Sequence, residues 1–198
     1  MSISVFLADD NLFVREGVKA LLDLEDDLDV VGQAADYDEL VEGADSANPQ
    51  VIVTDIRMPP SFSREGIEAA KEVRKRHPGI GVVILSQFDD PDYAVSLLAE
   101  GAAGYAYLLK DRVGDGDQLV RAVREVAAGG SVLDPKIVEG LTSPVLGDAS
   151  LSPDEEDLLQ FVAEGRTINA IAAVRDTTPA AANAEVEALF VKLGEGLT

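Results

Sequence analysis

Four β-favouring residues, Val51-Ile52-Val53-Thr54, run straight into Asp55, and Met58-Pro59 turns the chain within a few residues. A short, continuous apolar run of this kind reads as a strand buried on both faces, as in a parallel sheet. Asp55 then stands at the carboxyl end of that strand. In open α/β sheets this is the edge where ligands bind. The flanking sequence should therefore build a sheet around one carboxylate.

The segments on either side fit that expectation. Ser4 to Ala8 reads as a first strand and ends in Asp9-Asp10. Asn11 can cap a helix whose apolar positions Val14, Val18, Leu21 and Leu22 recur at helical spacing. Leu28 to Ala35 reads as a second strand, and Tyr37 to Ala47 as a helix broken by Asn48-Pro49. After Asp55 comes a helix from about Gly66 to Arg76, closed by His77-Pro78-Gly79. Val82 to Leu85 is a fourth strand with Ser86 at its end. Asp92 to Glu100 is a helix, Gly104 to Leu109 a fifth strand leading into Lys110, and Gln118 to Ala128 a last helix. Five strands alternating with helices predict a parallel, doubly wound α/β sheet over residues 1–130. Residues 131–150 read as a linker carrying one short helix, Asp134 to Leu141, and residues 151–198 as a separate unit with no strand pattern.

Composition narrows the chemistry. With no cysteine and one histidine, thiolate and His-rich metal sites are excluded. His77 sits before Pro78 and is explained as a helix-end residue. No apolar run approaches the roughly 18–20 residues that span a bilayer, and no basic-then-apolar leader is visible. A cytoplasmic location without membrane contact is expected. The net charge of −21 repels nucleic acid and anionic membranes at long range, or reflects an acidic proteome.

Under this topology Asp9, Asp10, Asp55, Ser86 and Lys110 all fall at carboxyl ends of strands. Clustered carboxylates form a hard-oxygen site suited to Mg²⁺. A lysine and a hydroxyl complement a phosphoryl group, and a carboxylate can itself accept one. Singly, each residue has a plainer reading: a turn or cap for Asp9-Asp10, a strand-end hydroxyl for Ser86, a surface lysine for Lys110.

Together these motifs, with Thr54-Asp55-Ile56-Arg57-Met58-Pro59 and Gly104-Tyr105-Ala106-Tyr107-Leu108-Leu109-Lys110-Asp111, resemble the receiver domain of bacterial two-component response regulators. The resemblance covers roughly residues 1–130 and implies a flavodoxin-like (βα)5 fold with a five-stranded parallel sheet. It implies that Asp55 accepts a phosphoryl group from the phosphohistidine of a sensor histidine kinase. Mg²⁺ would be held by Asp10, Asp55 and the backbone carbonyl of Arg57, with Asp9 acting through water. Lys110 would pair with the phosphoryl group, Ser86 would swing toward it, and Tyr107 would reorient as Ser86 moves. Tyr105 competes for that last role, and core packing is the plainer account of Tyr107. Pro60 to Glu65 is longer than the roughly three residues usual in receivers, an insertion that loops absorb cheaply. Phe62 or Arg64 could bear on kinase recognition or phosphoryl lifetime; otherwise the loop is an inert surface variant.

Leu151-Ser152-Pro153-Asp154-Glu155-Glu156 opens the second unit with a Ser N-cap, Pro at N1 and Glu at N3. Thr167 starts a second helix and Thr178-Pro179 a third. These pieces, with Ala163-Glu164-Gly165-Arg166-Thr167 and Leu189-Phe190-Val191-Lys192-Leu193-Gly194, resemble the small all-α helix-turn-helix domain of the LuxR/NarL class, here degenerate. Its surface chemistry departs from the family. Only Arg166, Arg175 and Lys192 are basic, against nine acids, a net charge of −6 over residues 151–198. Asn183, where the family often carries a basic contact, and Lys192 are the candidate DNA-contacting residues. Phosphate contacts supply most non-specific DNA affinity, so the surface is poor for it. The expectation is a response regulator, not an enzyme, whose output controls transcription and which can homodimerise. The alternative is a helical domain that has lost DNA binding and serves as a dimerisation or protein-interaction module. A small Mg²⁺-dependent phosphatase would use the same acidic pocket but needs a substrate cleft.

Overall fold

The computed structural model describes residues 1–87, 93–94, 104–142 and 151–196. Among these residues six parallel strands form one sheet: β1 (Ile3–Ala8), β2 (Leu28–Ala34), β3 (Val51–Asp55), β4 (Gly81–Ser86), β5 (Tyr105–Leu109) and β6 (Val132–Leu133). Their spatial order is β2-β1-β3-β4-β5-β6, with every pairing parallel. The strand count corrects the expectation of five. Val132 and Leu133 pair with Ala106 and Tyr107, in a stretch read as linker. Two residues between Gly129-Gly130-Ser131 and Asp134-Pro135 are too few to display a period of two. The helix expected over Asp92 to Glu100 lies outside the described residues except for Tyr93 and Ala94, as do residues 143–150 of the stretch read as linker.

Helices α1 (Leu12–Leu22), α2 (Tyr37–Ala47), α3 (Glu65–Arg76) and α4 (Asp117–Ala127) cover the sheet, and a 3-10 helix (Lys110–Asp115) leads into α4. Alternation along β1 decides what each face buries. Val5 and Leu7 pack with Val53, Val83, Leu22 and Val123, whereas Phe6 and Ala8 pack with Ile52, Leu40 and Val73. Successive side chains of a strand point to opposite faces, so both faces must be apolar in a sheet covered twice.

Beyond β6 come α5 (Pro135–Thr142), α6 (Pro153–Ala163), α7 (Ile168–Val174) and α8 (Pro179–Gly196). The start of α6 carries the expected capping box. The Ser152 hydroxyl accepts from the Glu155 amide at 3.2 Å, and the Glu155 carboxylate accepts from the Ser152 amide at 2.7 Å. Thr167 caps α7 through the Ala170 amide. Leu158, Leu159, Val162, Ile171, Val186, Leu189 and Phe190 form the core of this helical unit. That core is continuous with Leu133, Ile137 and Tyr107, so apolar packing runs unbroken from the sheet into the helices. At the junction, Arg121 donates to the Glu164 carbonyl at 2.9 Å.

Candidate functional site

The chain order reverses between β1 and β3: β2 lies on the outer side of β1, and β4 to β6 extend from β3. Such a switch point leaves a crevice at the carboxyl edge. Ala8 is in register with Thr54, so Asp9 and Asp55 emerge side by side. Ser86 is in register with Leu109, which brings Lys110 to the same edge.

Lys110 Nζ lies 2.6 Å from Asp9 Oδ2 and 3.3 Å from Asp55 Oδ1. Asp9 is held from two further directions. Its Oδ1 accepts from the Asn11 amide at 2.9 Å, and its carbonyl accepts from Arg15 Nη1 at 2.5 Å. Asn11 in turn caps α1, its side-chain oxygen accepting from the amides of Phe13 and Val14. One polar residue thus ties the helix start to the acidic edge. Asp10 is exposed, yet carboxylate oxygens of Asp9, Asp10 and Asp55 all lie within 4.8 Å of one another. Three carboxylates facing one ammonium leave excess negative charge, and oxygens at this spacing suit a hard divalent cation such as Mg²⁺.

Burial pushes the Asp55 carboxyl above its usual range; Lys110 opposes that shift and Asp9 adds to it. The cleft around it measures about 320 Å³ and is lined by Asp9, Asp10, Asn11, Val14, Asp55, Ile56, Arg57, Phe62, Gln87 and Lys110. Ser86 ends β4 and is buried. Tyr107 is also fully buried, opposite Ile84 and in the core shared with Leu133 and Ile137. Tyr105 sits at the opposite end of β5, under the Arg74 guanidinium, which lies 4.2 Å from its ring centre. Arg57 lines the cleft, and its side chain donates to the Tyr93 hydroxyl at 3.3 Å.

Sequence reasoning passed over two contributors: Arg15, which holds the Asp9 carbonyl, and Gln87 in the cleft wall. Arg15 follows Asn11 by one helical turn, a spacing that could have flagged it. Gln87 carries no comparable signal.

The two candidate DNA contacts are not brought together. Asn183 and Lys192 stand nine residues apart on α8, about half a turn out of phase. Asn183 Nδ2 donates to Glu187 at 2.9 Å, and Lys192 Nζ lies 2.7 Å from Glu155, the capping-box carboxylate. Arg175 pairs with Asp154 at 2.6 Å and Glu185 at 2.9 Å, and Arg166 with Glu164 at 3.0 Å. Every cation from 151 to 198 therefore faces a carboxylate of its own unit. No helix among the described residues is long and apolar enough to cross a membrane.

Comparison with known proteins adds a second line of evidence. The response regulator receiver domain profile matches residues 5–124. The transcriptional regulatory protein DegU of Brevibacillus brevis is 39% identical over 139 residues, which is 70% of this chain and 56% of DegU. The chain thus spans little more than half of that relative. The DNA-binding transcriptional activator DevR/DosR of Mycobacterium tuberculosis is 33% identical over 199 residues, covering 97% of this chain and 88% of the activator. Among solved structures, the Salmonella typhimurium RcsB response regulator superposes with a TM-score of 0.62 at 24% identity, over 98% of this chain and 92% of RcsB. That last likeness is one of fold.

Proposed function

This chain belongs to the response regulator receiver family, as a two-component regulator of the LuxR/NarL class, and we propose that it works by accepting a phosphoryl group on Asp55. The observation that carries the proposal is the convergence of Asp9, Asp10, Asp55 and Lys110 on one cleft. In the transfer, an Asp55 oxygen attacks the phosphorus of a sensor kinase's phosphohistidine. The new P–O bond forms as the P–N bond breaks, and the imidazole leaves with a proton drawn from solvent. The Lys110 ammonium meets the charge on the phosphoryl oxygens, and Ser86 offers its hydroxyl from the neighbouring strand end. Asp10, Asp55 and the Arg57 carbonyl would hold Mg²⁺, with Asp9 acting through water. The bound ion supplies positive charge that offsets repulsion between carboxylate and phosphoryl group. Tyr107 reorients as Ser86 moves. The test is labelling of the full chain by acetyl phosphate with Mg²⁺: wild type takes up label, and Asp55→Ala does not. Label retained by Asp55→Ala would refute the assignment.

The helical unit, residues 151–198 beyond the linker, is the output of this switch, and regulation of transcription is the reading its relatives support. DevR/DosR is named as a DNA-binding activator. A second reading rests on the ion pairs of Arg166, Arg175 and Lys192. With each cation engaged inside the unit, this copy serves as a dimerisation or protein-interaction module instead. Selection of genomic DNA fragments by the phosphorylated protein separates the two: enrichment of discrete sequences supports the first reading, and none supports the second.

A further inference from the structure

The long loop between β3 and α3 is built around a buried carboxylate. Glu65 is 8% exposed. Its Oε1 accepts from the Ser61 amide at 3.0 Å and from the Ser61 hydroxyl, and its Oε2 accepts from the Ser63 amide at 2.7 Å. Burial acts to raise the Glu65 carboxyl, but the Ser61 hydroxyl and the surrounding amides outweigh it and hold the group below its usual range. Both neighbours of Phe62 are thus tied to one anion, while the Phe62 amide donates to the Met58 carbonyl at 3.0 Å.

Between these ties Phe62 adopts a φ of 54°. A bulky residue in this left-handed region is a genuine outlier, and it persists only where the surroundings over-determine the backbone. The result is unusual for a phenylalanine. The residue is 53% exposed and lines the cleft that also holds Asp9, Asp10, Asp55 and Lys110. Arg64, two residues on, lies over the Tyr93 ring at 5.2 Å and steadies the far side of the loop.

We propose that Phe62 prolongs the life of the phosphorylated state by restricting the approach of water to phosphorylated Asp55. The inference rests on Asp55 being the acceptor. In the reaction it opposes, a water oxygen bonds to phosphorus as the P–Oδ bond to Asp55 breaks. The products are the Asp55 carboxylate and inorganic phosphate, with one proton released to solvent. Water must reach the phosphorus opposite the bond that breaks, and an apolar ring in the cleft wall excludes it from part of that approach.

The test follows loss of the phosphoryl group from the labelled full chain by intact mass, after removal of acetyl phosphate. Only the labelled fraction is followed, so differences in uptake rate do not enter. Phe62→Gly deletes the ring and suits the left-handed backbone; Phe62→Tyr keeps the ring. The half-life falls roughly three- to tenfold in Phe62→Gly and stays near wild type in Phe62→Tyr, with a cooperative thermal transition well above the assay temperature in all three proteins. An unchanged half-life in Phe62→Gly, or an equal loss in Phe62→Tyr, overturns the shielding role and leaves the Asp55 reading intact. A wild-type chain that takes no label, or an Asp55→Asn chain that does, overturns both.

Discussion

The ammonium of Lys110 lies 2.6 Å from the carboxylate of Asp9, with side chains only 13% and 7% exposed. Asp55 approaches the same ammonium, so one cation separates two carboxylates that would otherwise confront each other. Lys110→Met keeps the apolar stem and removes the charge. Breaking a buried pair by deleting one partner leaves the other charge uncompensated, and we expect a loss of about 3 kcal/mol. Urea unfolding in Mg²⁺-free buffer measures it, and added Mg²⁺ should restore part of the loss in the variant.

Asp55 carries a pH signature whose sign is set by burial, which outweighs its ion pair with Lys110. Its folded-state carboxyl is raised above the unfolded value, so the native chain binds the proton more tightly. Its contribution to stability is therefore greatest below the unfolded pKa of about 3.9 and declines as pH rises through the folded value. Asp55→Asn removes that decline. Without Mg²⁺, the variant's thermal midpoint should exceed wild type at neutral pH, and the gap should shrink toward about pH 4. A gap independent of pH would contradict this origin.

Gly66 lets α3 start directly beneath Asp55, the proposed acceptor. A Cβ there would lie 1.6 Å from the Asp55 carbonyl oxygen and 2.9 Å from Thr54 Oγ1. Its amide also donates to the Ile56 carbonyl at 2.9 Å. Gly66→Ala must move backbone, not merely a side chain, and should cost about 3 kcal/mol or more. Chemical denaturation checks the cost, and the variant should also lose phosphoryl uptake because the end of β3 is displaced.

Much of this site could be read from residue order alone. Asp9, Asp55 and Lys110 each follow an apolar run at once, and parallel strands bring all such ends to one edge. Their convergence thus follows from topology. Val132-Leu133 was missed because its strand character comes from pairing with Ala106 and Tyr107, not from its own pattern. Glu65 was missed because a charged residue at the start of a helix normally signals a solvated first turn. Its burial comes from the folded-back amides of Ser61 and Ser63. The acidic balance of the helical unit was visible as a count, but the pairing of Lys192 with Glu155 spans 37 residues and needed the fold.

Those pairs bound what the helical unit can do with DNA. Each phosphate neutralised contributes about −0.9 to the log–log salt slope, so three cations allow about −2.7 per unit even if all were released. Wild type should bind non-specific duplex with a shallower slope than that. Freeing Arg175 and Lys192 with Asp154→Asn, Glu155→Gln and Glu185→Gln should steepen it by up to about two units. Gln at 155 preserves the capping box, and circular dichroism confirms that the helices remain. Fluorescence anisotropy across a salt series reads the slope.

The central claim, that Asp55 accepts the phosphoryl group, is tested most directly by trapping the modified residue. The full chain is incubated with acetyl phosphate and Mg²⁺, reduced with borohydride, digested and mapped by mass spectrometry. The predicted result is conversion of Asp55 to homoserine, abolished by chelator and by Asp10→Asn. Modification at another residue, or none at Asp55 while label is taken up, would contradict the account.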